Sequence, residues 1–480
     1  MFDYPAPRYP KLKKPKSLDE LMPNARALVG QSPGSWPTSL KPSYGIKTGD
    51  KILFVVLSEY DSMVINAMCM AMKEKGALVD LLTLDSTPIA PPEEVGAHEA
   101  IALDKDEGDY NYYYSVITNL IRTSTVKAMV ESEKYNMVIG GLAGPIASLR
   151  VPWYRFHFIS LEDFFDPSIN STINFPVDLQ RLIDEKVFAQ IASCTVLRLT
   201  DPEGTDIKWT NYDDKRRFSP GHLFARPFNI GYGFGGRDVG GKDDCTGIVA
   251  GTLNHMGAFP HCKAYIEGGL VVKVEGGGKY GEVWREKIEK YKNTKLPPCP
   301  IVPVREHAKY VGESSRLPLN HIGDPGIFWY HEAAIGTTPG IFRLPGEGLF
   351  KYYANFLHER KRSGYIHNGF GPNAVGMEGL IKTGLPWTHL HIHTIFNTLE
   401  GKSDKGETIT IIKKGHLAAL DDPEVRLLAS QYGDPKEMLR EAWVPAVPGI
   451  NVPGDYMKDY GSDPVSWIKK ETMEHPVWIE

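Results

Sequence analysis

Long apolar runs and an excess of one charge are both missing from this sequence of 480 residues, whose net charge is -5. No apolar stretch approaches the roughly 18 residues that a membrane-spanning helix needs. No apolar segment follows the basic residues at positions 11–16, so we expect no signal peptide. Basic side chains are dispersed, which favours neither nucleic-acid binding nor binding to a membrane surface. These absences leave a soluble enzyme acting on a small molecule as the expected class.

Paired cysteines are missing as well. The five cysteines are scattered, odd in number and form no Cys-x-x-Cys motif. Such usage is typical of reduced thiols, so we expect a cytoplasmic protein. A chain of this length has room for two or three domains and a large core.

The first half of the chain has the pattern of an α/β domain. Residues 1–45 are rich in proline and tyrosine and predict an extended arm that embraces a partner or wraps its own chain. An apolar strand over 51–57, helical spacing over 61–75 and a second strand over 77–82 predict a parallel βαβ unit. We therefore predict an α/β domain over residues 46–195.

The second half is predicted to be a strand-rich α+β domain over residues 196–480. Its strand-like segments are separated by glycine-rich loops, and thirteen of the fifteen histidines lie after residue 200. Because histidine is the commonest metal ligand and a frequent acid or base, the chemistry is expected in this half.

Three of those histidines, His389, His391 and His393, alternate with aliphatic residues in the segment 388–393. Alternation is the period of a β-strand, so the three imidazoles are predicted to project from one face. Adjacent members, His391 with His393 or His389 with His391, can converge on one divalent metal. The alternative is a solvated strand face or a set of core histidines bonded to backbone groups.

Other candidate groups come from separate segments. His367 precedes a glycine-rich turn, Glu332 opens a stretch of small residues, and His255 and His261 flank Met-Gly-Ala-Phe-Pro. His367 or Glu332 alone is more often a structural residue than a functional one, and a structural loop histidine is the alternative for His255 and His261. Together they would supply several imidazoles and one carboxylate to a single site.

Three segments also carry a family resemblance. Glu332-Ala-Ala-Ile-Gly is similar to a Gly-Glu-x-Ala-x-Gly segment that supplies a metal-bound glutamate, and His367-Asn-Gly-Phe-Gly resembles a histidine-supplying His-x-Ala-x-Gly segment. His391-Ile-His393 falls where that family has His-x-Asp. In this order the segments resemble the thermophilic metallo-aminopeptidases (aminopeptidase T and S) and their oxygenase relative, 2,5-dihydroxypyridine 5,6-dioxygenase, over about residues 45–420.

The resemblance implies a homodimer in which His367, His391 and His393 bind the metal. Glu332 is then a further ligand or contacts a ligand without binding the metal. His389 is expected to contact a ligand in the same way or to line the pocket. The chain lacks two carboxylates of the peptidases: His393 replaces an aspartate, and Asn254-His255-Met-Gly replaces a Gly-Glu-Val segment with a metal-binding glutamate. It also lacks their tyrosine, since residues 373–377 contain none. A two-metal peptidase needs bridging carboxylates, so these losses favour one metal.

The expected function is therefore a non-haem Fe(II) dioxygenase that opens a small hydroxylated aromatic or heteroaromatic ring. In this hypothesis His255 or His261 accepts the phenolic proton of the substrate. The alternative is a metallo-aminopeptidase or another metal-dependent hydrolase, such as an amidase or deaminase. It would use Zn(II), Co(II) or Mn(II), with Glu332 as ligand or general base.

Overall fold

The computed structural model describes residues 3–30, 44–58, 60–84, 116–140, 151–156, 158, 160–165, 173–211, 218–219, 222–226, 244–254, 257–293, 327–342, 359–371 and 390–479. Within these ranges the protein is a mixed α/β structure with a large strand-rich sheet. No helix in the described part of the chain is long and apolar enough to cross a membrane.

The strands of the described ranges, numbered β1 to β19 in chain order, are Leu12–Lys13, Lys51–Leu57, Leu78–Leu84, Met137–Gly140, Trp153–Arg155, Cys194–Thr200, Asp206–Thr210, Phe218–Ser219, His222–Arg226, Thr246–Leu253, Ala258–Glu267, Leu270–Gly276, Trp329–Gly336, Ile366–Gly371, Leu390–Thr394, Thr398–Ser403, Thr408–Lys413, His416–Leu417 and Trp478–Ile479.

The α-helices of the same ranges, numbered α1 to α9, are Leu18–Gly30, Ser62–Glu74, Val116–Glu133, Leu161–Phe164, Val177–Ala192, Gly278–Tyr291, Pro423–Ala429, Pro435–Met438 and Pro464–Glu474. A 3-10 turn spans Ala418–Asp421 and a π-helical turn spans Tyr456–Gly461.

The first half of the chain contains a four-stranded parallel sheet with the strand order β3-β2-β4-β5. Its β2 strand and α2 helix lie where the apolar run and the helical spacing predict them. The Asp61 carboxylate accepts hydrogen bonds from the backbone N–H groups of Met63 and Val64 and so begins α2. After α2, Gly76 has a φ of +82°, which allows the chain to turn back into β3. The predicted βαβ unit is therefore present.

The N-terminal arm lies against the C-terminal segment of its own chain. Arg8 and Val444 exchange two backbone hydrogen bonds, and β1 pairs with β19 in parallel. The amide of Asn451 also donates to the carbonyl of Pro5. These contacts place the start of the predicted arm against its own chain, whereas Leu18–Gly30 is the helix α1, so the prediction of an extended arm is wrong there. The association of two copies stays a prediction.

A thirteen-stranded sheet joins β6 to β18 of the described residues. Its main order is β11-β12-β13-β14-β15-β10-β7-β6-β16-β17-β18, with β9 pairing both β8 and β13. The strand-rich character predicted for the second half is therefore correct, whereas the domain boundary near residue 195 stays a prediction. The order makes β13, β14 and β15 neighbours although they come from well-separated segments.

One apolar cluster connects the two sheets. It contains Phe54 and Ile139 from the parallel sheet together with Leu253, Tyr365 and Ile395 from the second half. Leu253 pairs with His393, so the cluster reaches the strands that carry the candidate ligands. Packing of this kind keeps water away from that part of the large sheet.

Candidate metal centre

The register of β14 and β15 places the histidines of two segments side by side. His367 pairs with His393, and Gly369 pairs with His391. Directly paired residues of antiparallel strands project to the same face, so the three histidines share a face of the sheet. Gly369, which pairs with His391, has no side chain.

A β-bulge in β13 turns a carboxylate towards this face. The register of β13 against β14 shifts by one residue between Tyr330 and Glu332. Without the shift these two side chains, two positions apart, would point the same way. With it, the Tyr330 hydroxyl donates to Asn368 at 2.8 Å while Glu332 Oε1 lies 3.4 Å from His367 Nε2.

Glu332, His367 and His391 form a group that can hold a metal ion, because one donor atom from each lies within 4.8 Å of the others. Their exposed fractions are 3%, 1% and 2%, so all three donors are withdrawn from water. Ligand atoms about 2.1 Å from a shared ion lie roughly 3–4 Å apart, a spacing that small side-chain rotations would produce here. One carboxylate and two imidazoles suit a transition metal.

His393 lies behind His367. Its Nε2 is 3.1 Å from His367 Nδ1, and its Nδ1 is hydrogen-bonded to the Tyr365 hydroxyl. The Tyr365 hydroxyl in turn donates to Glu359 Oε1 at 2.5 Å. All four side chains are buried, so this chain of hydrogen bonds is shielded from solvent.

The charge state of Glu359 governs which nitrogen of His367 carries its proton. When Glu359 is ionised it accepts the one proton of Tyr365, whose oxygen then accepts from the Nδ1–H of His393. A neutral His393 in that arrangement accepts at Nε2 from the Nδ1–H of His367. His367 Nε2, the atom that faces Glu332, then holds a lone pair.

Two of the other predicted site residues, His389 and His255, are outside the described residues. His261 Nε2 is hydrogen-bonded at 2.6 Å to the Glu203 carbonyl, its ring meets the edge of Tyr456, and burial lowers its pKa. The structure does not place His261 in the Glu332–His367–His391 group, and it has no part in the function proposed below.

Tyr365 and Glu359 were missed by the sequence reasoning. A signal for Tyr365 existed, because it lies two positions before His367 and alternation predicts the same side of the strand. Glu359 lies outside that strand, and no local pattern connects it to the histidines.

The solved structures to which the chain is similar include the following two. One is the 2,5-dihydroxypyridine dioxygenase of Pseudomonas putida KT2440, at 12% identity and a TM-score of 0.40, covering 84% of this chain and 98% of that one. The other is wild-type AmpT of Thermus thermophilus, at 14% identity and a TM-score of 0.38, covering 83% and 99%. They are the two kinds of protein named by the sequence resemblance. No protein-family model and no curated protein matches the chain.

Proposed function

We propose that the chain is a metal-dependent enzyme that binds one divalent ion through Glu332, His367 and His391. The observation that carries this proposal is the convergence of the three buried donors. A buried carboxylate beside two imidazoles is costly to leave without a cation, because burial disfavours the charge of the carboxylate. A bound divalent ion would offset that cost.

The residues present fit one ion better than two. Two-metal sites rely on carboxylates that bridge the ions, and Glu332 is the one carboxylate of the described group. Two histidines and one carboxylate form the ligand set of non-haem Fe(II) oxygenases, which leaves coordination positions open. We therefore infer iron(II), whose chemistry when bound would be the activation of dioxygen beside a chelating substrate.

In this proposal His393 orients a ligand and does not bind the ion itself. It accepts the Nδ1–H of His367 and so keeps the lone pair of His367 at Nε2, towards Glu332. Histidine ligands of metals commonly donate their second ring N–H to such an outer partner. Tyr365 and Glu359 continue this chain of hydrogen bonds and so hold the His393 ring in position.

The proposed reaction is oxidative opening of a small hydroxylated aromatic or heteroaromatic ring, the class that the sequence resemblance implies. To test it, protein purified without oxygen is loaded with one equivalent of Fe(II). Oxygen uptake is then followed with catechols, hydroquinones and dihydroxypyridines. We expect substrate-dependent oxygen consumption that is lost in His391→Ala. Loaded protein that consumes no oxygen with any of these compounds would contradict the reaction.

Hydrolysis is the second candidate, because two histidines and a glutamate also form the ligand set of catalytic zinc in some peptidases. Zinc-loaded protein would then release amino-terminal residues from short peptides or ammonia from amides. Activity with zinc and none with iron would leave the metal site intact and replace the dioxygenase by a hydrolase.

A further inference from the structure

A second concave site lies outside the candidate metal centre, between the N-terminal arm and the C-terminal helix α9. It is a cleft with a cavity volume of about 70 Å³, to which both segments contribute side chains. Leu253 forms part of its wall and pairs with His393 in the large sheet.

The walls of this cleft are rich in aromatic rings. Tyr9, Trp443, Tyr460 and Trp467 all line it. The ring faces of tryptophan and tyrosine attract cations as well as apolar groups. The protein shows this attraction nearby: the Lys470 ammonium lies 5.1 Å from the ring centroid of Trp467, although Lys470 does not line the cleft.

One end of the cleft carries a carboxylate in a fixed position. The Tyr9 hydroxyl donates to Glu471 Oε2, and His475 stacks on the Tyr9 ring with centroids 4.1 Å apart. Glu471 is the one acidic lining residue, and no lysine or arginine lines the cleft. Glu474 and His475 lie next to it, and each offers an atom within 4.8 Å of the Glu471 carboxylate. The cleft therefore combines aromatic walls with a carboxylate end.

We infer that this cleft binds a small amine, with its ammonium group at Glu471 and its apolar or aromatic body between the rings. The carboxylate would accept a charge-assisted hydrogen bond from the ammonium. The aromatic walls would bury the body and add cation–π attraction. An anionic ligand of the same shape would meet Glu471 with the wrong charge. This site is independent of the function proposed for the metal centre.

The test uses three probes of one size and different charge: phenethylamine, phenethyl alcohol and phenylacetate. Binding to the metal-free full chain is measured by calorimetry and by intrinsic tryptophan fluorescence at pH 7. We expect phenethylamine to bind at least about tenfold more tightly than phenylacetate, the size of one charge-assisted hydrogen bond. Phenethyl alcohol should fall between them.

Glu471→Gln is the decisive variant, because it keeps the shape of the side chain and removes its charge. It should abolish the preference for phenethylamine, and Trp467→Phe should weaken all three probes. Glu286→Gln is the matched control, since Glu286 is an exposed residue of the helix α6 and does not line the cleft. Circular dichroism checks folding. Equal binding of the three probes, no binding, or an unchanged preference in Glu471→Gln would overturn the proposal.

Discussion

Two carboxylates, Glu332 of β13 and Glu203 of the turn between β6 and β7, are shielded from water to different degrees and have different neighbours. Glu332 is buried and faces the imidazoles of His367 and His391. Glu203 is partly buried, and its Oε1 accepts hydrogen bonds from the hydroxyls of Tyr456 at 2.6 Å and Thr252 at 2.9 Å.

The difference shows what each site needs. Hydroxyl groups carry protons of their own and satisfy Glu203 by hydrogen bonding, although burial still raises its pKa to about 7. Glu332 instead faces two imidazoles, and one donor atom from each of the three groups could bind a common cation. The comparison therefore supports the proposal of a metal at Glu332 and a proton on Glu203.

Removing one imidazole should have the largest effect. His391→Ala or His367→Ala leaves two ligands, and we expect metal affinity to fall more than about 100-fold, beyond the loss typical of outer residues. Metal content after dialysis, measured by mass spectrometry, checks this expectation. Glu203→Gln is the control and should retain the ion. If the control lost the metal as well, the two carboxylates would not differ as described.

Replacing the histidine behind His367 should have the next largest effect. His393→Phe removes the acceptor of the His367 Nδ1–H but leaves the three proposed ligands in place. Metal affinity should fall about 10–100-fold, the usual effect of an outer partner. Titration of metal-free protein with Co(II), followed by visible absorption, measures it. A loss as large as that of His391→Ala would make His393 a ligand, as the sequence reasoning expects.

The proton on Glu203 should appear as a dependence of stability on pH. In the unfolded chain a glutamate loses its proton near pH 4.5, whereas folded Glu203 keeps it to about pH 7. The stability from this group is thus present below about pH 4.5 and is lost as the pH rises to 7. Glu203→Gln cannot ionise and should escape the loss.

Urea unfolding between pH 4 and 8 measures this effect. The free energy of unfolding of Glu203→Gln, relative to the parent, should rise by about 1–2 kcal/mol across the window, less than the full shift because the side chain is partly exposed. A difference that stays constant with pH would mean that Glu203 is ionised in the folded protein throughout.

The smallest effect is expected for Tyr365→Phe. This change removes the hydroxyl that accepts from His393 Nδ1, while the ring can still pack. His393 then loses one of two restraints on its tautomer, and metal affinity should fall about threefold to tenfold, as for one hydrogen bond. The Co(II) titration used for His393→Phe measures it. No change would mean that His393 alone fixes His367.

Local sequence pattern predicted the parts of this structure that depend on neighbours in the chain. Strand β2 and helix α2 follow from an apolar run and a helical period, and alternation placed His391 and His393 on one face. The chemistry of the side chains identified Glu332, His367 and His391 as candidate ligands, and these three residues lie close together in the structure.

Such local patterns do not predict which distant segments pair with each other. Alternation says that His393 shares a face with His391, but not that it lies opposite His367 and is hydrogen-bonded to it. The bulge that turns Glu332 towards the histidines depends on the pairing of β13 with β14. The same holds for His261, which packs against Tyr456 from a segment almost two hundred residues away.

The central claim is that Glu332, His367 and His391 hold a single divalent ion. Its most direct test is the metal content of protein purified without oxygen and reconstituted with Fe(II), compared with Glu332→Gln and His391→Ala treated identically. The account predicts one ion per chain in the parent and far less than one in both variants. One ion per chain retained in either variant, or two ions in the parent, would contradict it.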